Sequence, residues 1–171
     1  MPPARATPVN ATAAALLGLL HSGPMSGGQL VALATERFGS FFAVTRSQVY
    51  RELPALTAAG LLKLGKQGPR ASQQYSITAA GRRSFTAWLT TGAASDAVRS
   101  PLVLRLLHAG SLTEKQRAAL VGAAREAYAG RLTTAKATAK GERDPYRRAV
   151  ADFVVAHTRA MLRLLDAIPE S

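Results

Sequence analysis

Residues 44–62 of this chain read VTRSQVYRELPALTAAGLL, and this stretch decides how the rest of the sequence is interpreted. On an ideal helix, at ~100° per residue, three of its apolar side chains fall within roughly 60° of one another. These are Val49, Leu53 and Leu56. Polar residues occupy the opposite face. This pattern is typical of the helix that a helix-turn-helix protein places in the DNA major groove.

The polar face of this predicted helix carries the candidate DNA contacts. Ser47 and Arg51 point away from the apolar stripe, and Gln48 and Tyr50 lie on its flanks. Arginine can form two hydrogen bonds to guanine and glutamine two to adenine, whereas serine and tyrosine more often contact phosphate. The alternative is an ordinary solvated helix face, and the ring of Tyr50 can equally pack at the helix edge.

Residues at both ends of this helix predict where it begins and ends, and a proline inside it predicts a kink. Thr45 can cap the helix and is also a candidate DNA contact, and Gly60 stands where a glycine ends a helix. Arg46 lies nearer the apolar side, but from the first turn it can reach a phosphate, aided by the helix dipole. Pro54 removes a hydrogen bond to the Tyr50 carbonyl and favours a kink, which either tunes DNA recognition or is merely tolerated.

The neighbouring segments complete the pattern of a winged helix: three helices, a strand, a basic loop, a second strand and a fourth helix. The loop carries Lys66 and Arg70 beside a Gly-Pro tip, and wings of this kind lie along the DNA backbone or minor groove. Lysine and arginine are, however, common in any exposed loop. Predicted helices begin at Asn10 or Thr12, at Ser26 and at Thr45, followed by strands Leu61–Leu64 and Gln73–Ile77 and helix Ala79–Leu89.

The second half of the chain is almost wholly helical, so the predicted fold class is mainly α. Helices are expected to begin at Pro101, at a Thr113–Gln116 capping box and at Pro145, after a cap at Asp144. We predict a mobile N-terminus (1–9), a winged-helix domain (10–90), a hinge (91–99) and an all-α domain (100–171).

Composition narrows the classes of function. The chain has 171 residues, 22 Lys and Arg against 10 Asp and Glu, a net charge of +12 and a pI of about 11.2. This excess points to an anionic partner such as nucleic acid, an acidic protein or a lipid surface, unless it reflects only an arginine-rich genome. No cysteine is present, which excludes disulfides and thiolate metal sites.

Catalysis, metal binding and membrane insertion find no support in the sequence. The three histidines are far apart and lack carboxylates at metal-binding spacing, and no carboxylate pair resembles a catalytic dyad. The apolar run 13–20 is too short to span a bilayer, and the N-terminus does not resemble a signal peptide. We therefore expect a cytoplasmic protein that is not an enzyme and needs no cofactor.

Residues 12–90 resemble the PadR-like family of bacterial transcription regulators. The resemblance implies a homodimeric repressor that binds a roughly palindromic DNA operator through its winged helices, dimerises through its C-terminal helices and in some members responds to small aromatic or drug-like ligands. It rests on ALLGLL (15–20), GPMSG (23–27), ERFG (36–39), SQVYREL (47–53), AGLL (59–62) and YSITAAGR (75–82).

The resemblance also implies roles for apolar residues outside the winged helix. Trp88 and Phe85, which we expect to face inward, become candidates for a ligand pocket, although ordinary packing is the simpler account. The dimer interface is expected to involve Leu102, Leu106, Phe153, His157, Met161 and Leu164. For Phe153, His157 and Met161, ligand contact is the second interpretation.

One segment departs from the family pattern. Where the family often has Ser-Gly-Tyr, this chain has Ser26-Gly27-Gly28, and the missing aromatic ring is expected to loosen the packing of the second helix. Two alternatives to a DNA-binding repressor stay open. One is a winged-helix module that binds an acidic protein, and the other is a small-molecule sensor that no longer binds DNA.

Overall fold

The computed structural model describes residues 9–67, 72–91 and 99–169. The chain divides into two compact units, Met1–Ala94 and Ser95–Ser171. The expected mobile segment 1–9 lies outside the described residues except for Val9, and the expected hinge 91–99 lies outside them except for its two ends.

The described residues are mainly helical, as predicted from the sequence. The first unit contains α1 (Ala11–Leu19), β1 (Met25–Ser26), α2 (Gly27–Phe38), α3 (Arg46–Ala58), β2 (Leu62–Gln67), β3 (Gln73–Ile77) and α4 (Ala79–Thr90). The second contains α5 (Pro101–Leu107), α6 (Glu114–Gly141) and α7 (Pro145–Asp166). Single 3-10 turns follow α1 and α5.

Side-chain caps set where the helices begin, and the predicted caps are confirmed. Asn10, Thr78 and Asp144 each accept a hydrogen bond from a backbone N–H in the first turn of their helix. The predicted capping box at Thr113 and Gln116 is also present. Two further capping boxes, Ser26 with Gln29 and Thr45 with Gln48, open α2 and α3. Each cap satisfies backbone donors that the helix itself leaves unpaired.

The core of the first unit forms around α1. Leu16 and Leu17 are fully buried, and α1 contacts α2, α3 and α4. The predicted apolar stripe of α3 faces this core, since Val49, Leu53 and Leu56 are all buried. Burial of each such side chain contributes about 1.5–3 kcal/mol, so this stripe fixes the rotation of α3 about its axis.

The sheet has three strands in the order β1-β3-β2, all antiparallel. The sequence predicted β2 and β3 but not β1, whose two residues pair with Gln74 and Tyr75. Between Leu64 and Gln67 the register of β2 against β3 shifts. The sheet therefore joins the segment between α1 and α2 to the hairpin that forms the wing.

The proline inside α3 does not end the helix. Pro54 lies on the exposed face, and α3 continues past it to Ala58. Its ring does not enter the core, so the cost of this residue lies in the backbone, in the hydrogen bond that it cannot donate and in the crowding of the Tyr50 carbonyl. Gly60 has a φ of 71°, which confirms the predicted glycine at the end of the helix.

In the second unit, α6 and α7 form an antiparallel pair. Val121, Leu106 and Leu165 form one buried cluster near one end of the pair, and Ala135, Ala139 and Val155 form another. The interface residues that the sequence predicted on α7 do not share one environment. Met161 is buried within the chain together with Val155 and Leu165, whereas Phe153 is exposed together with Tyr146 and Val150, so α6 covers only one side of α7.

Gly81, in the first turn of α4, packs against Leu61 and Ile77 so closely that no side chain fits there. A Cβ built there would overlap the carbonyl oxygen of Leu61 and lie 2.9 Å from Cγ1 of Ile77. We expect Gly81→Ala to destabilise the first unit by about 1–3 kcal/mol, despite the better helix propensity of alanine, because backbone must move. Thermal unfolding measures the change.

Gly122→Ala in α6 provides the matched control. A Cβ at Gly122 meets nothing within 4 Å, so alanine there should be neutral or stabilising by up to about 1 kcal/mol. If Gly81→Ala also left the unfolding temperature unchanged, the contact between α4 and Leu61 would not be as close as described.

Candidate nucleic-acid interface

The outward face of α3 is exposed as the helical pattern predicted. Ser47, Arg51 and Pro54 are exposed opposite the buried stripe, and Tyr50 is 45% exposed. Arg46, which the helical pattern places nearer the apolar side, is also exposed in the first turn of α3. This face presents two guanidinium groups to solvent.

Gln48 has a structural role that limits what it can do at this surface. Its Oε1 accepts hydrogen bonds from the Thr45 backbone N–H at 2.8 Å and from Thr45 Oγ1 at 3.0 Å. A two-bond contact to adenine uses both the oxygen and the amide nitrogen of glutamine. In this geometry only the amide NH₂ is available, so the predicted adenine contact requires that the cap be released.

Arg46, Ser47 and Tyr50 line an open concavity of about 520 Å³ at the start of α3. The Cζ atom of Arg46 lies 5.2 Å from the centroid of the Tyr50 ring, one helical turn further on. Thr45 Oγ1 and Ser47 Oγ are 3.3 Å apart beside it. The concavity thus combines a cation, hydroxyl groups and an aromatic edge.

Arg51 lies further along the same face. One of its terminal nitrogens is 3.6 Å from Oε1 of Glu52, and that oxygen also accepts a hydrogen bond from the Asn10 side chain. The Arg51 side chain is 72% exposed. An exposed ion pair of this length contributes little, so the guanidinium can turn toward another anion at low cost.

The wing contributes further cations. Lys63 and Lys66 are exposed on β2, near the register shift. Gln73 at the start of β3 donates from Nε2 to the carbonyl oxygen of Gly65, which ties the two strands together below the tip. Arg70, the other predicted wing contact, lies outside the described residues.

The Gly27-Gly28 pair, for which the sequence predicts looser packing of the second helix, forms the start of α2. Gly28 is exposed, and a Cβ there would meet only the Ser26 hydroxyl oxygen at 4.0 Å, so this position does not serve the packing of α2. The side chains through which α2 packs into the core are Leu30 and Ala34. Gly27 is buried against the ring of Tyr50, a contact that no sequence pattern indicated.

The prediction that Trp88 faces inward is wrong for this chain. Phe85 is partly buried and lies against Gly18 and against the ring of His21, at a centroid distance of 4.9 Å. Trp88 lies on the same stripe but in the last turn of α4, where it is exposed, as is Leu89. The apolar stripe of α4 therefore extends past Phe85 to residues that the core of the first unit leaves exposed.

The residues predicted for a dimer interface fall into two groups. Leu106 and Met161 are buried within their own chain, and Leu102 and Leu164 are partly buried beside Leu106 and Leu165. Phe153 is exposed, and its ring stacks on that of exposed His157 at 6.0 Å. Only the second group presents a largely free surface on α7.

Within the described ranges, no group of three histidine, aspartate or glutamate side chains could hold a metal ion. None of the described helices is both long and apolar enough to span a membrane.

The arrangement of the first unit defines a winged-helix domain. Residues 16–87 match the model that describes the transcriptional regulator PadR-like family, which confirms the resemblance drawn from the sequence. The negative transcriptional regulator PadR of Bacillus subtilis is 33% identical over 78 residues, which are 44% of this chain and 43% of that protein. In that alignment the chain therefore spans less than half the length of the curated relative.

Solved structures extend the likeness in fold to both units. The crystal structure of Bacillus subtilis PadR in complex with operator DNA has a TM-score of 0.73 and 22% identity, covering 91% of this chain and 95% of that chain. The same protein in complex with p-coumaric acid has a TM-score of 0.68 and 21% identity, covering 91% and 94%. At identities of 21–22%, these TM-scores show a likeness of fold alone, the mainly α winged-helix fold.

Proposed function

We propose that this chain is a DNA-binding transcriptional regulator that acts in the cytoplasm as a homodimeric repressor and performs no catalytic step. The observation that carries the proposal is the outward face of α3, which holds Arg46 and Arg51 exposed on a helix fixed by its buried stripe. The likeness to a negative regulator and to a structure that contains operator DNA supports the same proposal.

Each exposed part of the first unit has a task in this proposal. Arg51 reads a base edge in the major groove, whereas Arg46 and Ser47 hold the backbone. Lys66 in the wing contacts phosphate or the minor groove. Because the chain carries a net charge of +12, phosphate contacts supply much of the affinity, which should fall steeply with salt.

Dimerisation supplies the second half of the DNA site. Tyr146, Val150 and Phe153 recur at helical spacing on α7 and are exposed, as are Leu104 and Leu107 on α5. Exposed apolar side chains at such spacing suit contact with a second copy. Two α3 helices related by a two-fold axis would enter major grooves about one turn apart, so the operator is roughly palindromic.

A small aromatic effector is the last part of the proposal. A structure similar in fold contains p-coumaric acid, and this chain exposes Trp88 and Leu89 at the end of α4 beside partly buried Phe85. Flat aromatic rings stack on such side chains. Binding there, close in sequence to the expected hinge, would alter the arrangement that holds both α3 helices on the operator.

The two kinds of DNA contact can be separated by substitution. Arg51→Ala should cost ~1–3 kcal/mol on the operator and relax base preference, whereas Lys66→Ala should weaken all duplexes alike and lower the salt slope by about 1. The operator is first selected from a random pool, and affinities are then measured on selected and random duplexes at several salt concentrations.

Lys136→Ala is the control for this comparison, since it removes the same charge from an exposed position on α6. It should leave the preference for the operator intact. Equal losses from Arg51→Ala and Lys66→Ala on both duplexes would contradict the division of labour. Failure of the wild-type chain to bind any duplex at low salt would favour a winged-helix module for an acidic protein.

The dimer can be tested without DNA. Light scattering of the wild-type chain should give twice the 18.0 kDa of one copy, and Phe153→Arg should shift the mass toward one copy because it buries an unpaired charge. Ala123→Arg adds the same charge at an exposed position of α6 and should leave the dimer intact. An unchanged dimer with Phe153→Arg would rule out this stripe as its interface.

Effector binding can be followed at Trp88, the only tryptophan of the chain. Addition of p-coumaric acid should quench its fluorescence and weaken operator binding, and operator should in turn weaken ligand binding by the same factor. Acetate, which carries the carboxylate without the ring, serves as the control. Unchanged fluorescence and unchanged operator affinity at millimolar ligand would remove the effector from the proposal.

A further inference from the structure

Tyr50 is held on one side by the first turn of α2. A Cβ built on Gly27 would lie 3.0 Å from Cε1 and Cζ of the Tyr50 ring and 3.1 Å from its hydroxyl oxygen. Such a separation is tighter than nine in ten real Cβ contacts, so the ring would have to give by a few tenths of an ångström to admit one. The ring therefore lies against the backbone of Gly27, at a position where any larger residue would crowd it.

On its other side, the same ring lies beside Arg46. The distance of 5.2 Å from Cζ of Arg46 to the ring centroid is within the range of a cation–π contact. Among the residues that the structure describes, no carboxylate is within ion-pairing distance of Arg46. The guanidinium is thus oriented by an aromatic ring and keeps its charge uncompensated.

We propose that Tyr50 is a positioning residue that holds Arg46 ready for the DNA backbone, and that Gly27 is the residue that admits the Tyr50 ring. This inference rests on the proposed function. It assigns Tyr50 a task different from the direct DNA contact that the sequence predicted. The Tyr50 ring thus lies between the first turn of α2 and the guanidinium of Arg46 on α3.

The physical advantage is preorganisation. An arginine side chain free in solvent loses rotamer freedom when it binds phosphate, and this loss subtracts from affinity. Stacking on Tyr50 restricts Arg46 in the free protein, so less freedom is lost on binding. The ring leaves the donors of the guanidinium free, and the open concavity lined by Arg46, Ser47 and Tyr50 gives a phosphate access to them.

The arrangement in the free protein can be tested by NMR without DNA. The side-chain protons of Arg46 should show upfield ring-current shifts in the wild type and in Tyr50→Phe, which keeps the ring. Those shifts should vanish in Tyr50→Leu. Shifts typical of a solvated arginine in the folded wild type would overturn the proposal.

A double-mutant cycle on the selected operator tests the role in binding. We expect Tyr50→Leu to weaken binding about 2–5-fold, the range of an exposed cation–π contact, and Tyr50→Phe to bind like the wild type. In the background of Arg46→Gln, Tyr50→Leu should have no further effect. Additive losses, or an equal loss with Tyr50→Phe, would show that Tyr50 contributes to binding independently of Arg46 and would overturn the positioning role.

Gly27 and Gly28 provide a matched pair of variants. Gly27→Ala should displace the ring, weaken operator binding by a similar factor and reduce the Arg46 shifts. Gly28→Ala places the same methyl group in open space, so it should bind like the wild type. Thermal unfolding shows whether each variant is folded. Should Gly27→Ala unfold, Tyr50→Leu still decides the question.

The result also separates this inference from the proposed function. If the wild type binds operator but the cycle shows no coupling between Arg46 and Tyr50, only the positioning role is wrong. If the wild type binds no duplex, the proposed function fails and the positioning role fails with it.

Discussion

The burial of α1 is the constraint on which the first unit depends. Leu16 and Leu17 are fully buried, and three other helices pack around them. A helix that is apolar on all sides is stable only where neighbours cover it completely. The stripe of α3 must therefore turn inward, which forces its polar face outward. The polar face of α3 is in this sense a product of the core: the same packing that removes Val49 from water presents Arg51 to it.

Much of this unit could be predicted because the signals are local. Caps such as Asn10 and Thr78, the glycine at position 60 and the spacing of apolar residues on α3 all act within one or two turns of chain. The capping role of Gln48 had the same kind of local signal, a Thr followed three residues later by Gln, but was missed. As a result, Gln48 was predicted to contact adenine with an oxygen that the structure uses at the helix start.

The features that could not be predicted are contacts between segments distant in sequence. The pairing of β1 with β3 and the closeness of Gly27 to Tyr50 depend on how the helices come together. Trp88 has the spacing of a buried residue, but spacing does not tell where the core ends. On α7 the same limit applies: the sequence assigned Phe153 and Met161 to one interface, but only Met161 is buried within the chain.

The pairing of β1 with β3 has a consequence for how the wing is connected to α3. β1 ends at Ser26, the cap of α2, so the strand leads without a flexible linker into the turn that touches Tyr50. β3 forms one arm of the wing. The strand β3 of the wing is therefore connected to α3 through β1 and the first turn of α2, with no loop between β1 and α2. The last step of this path is the contact between Gly27 and the ring of Tyr50.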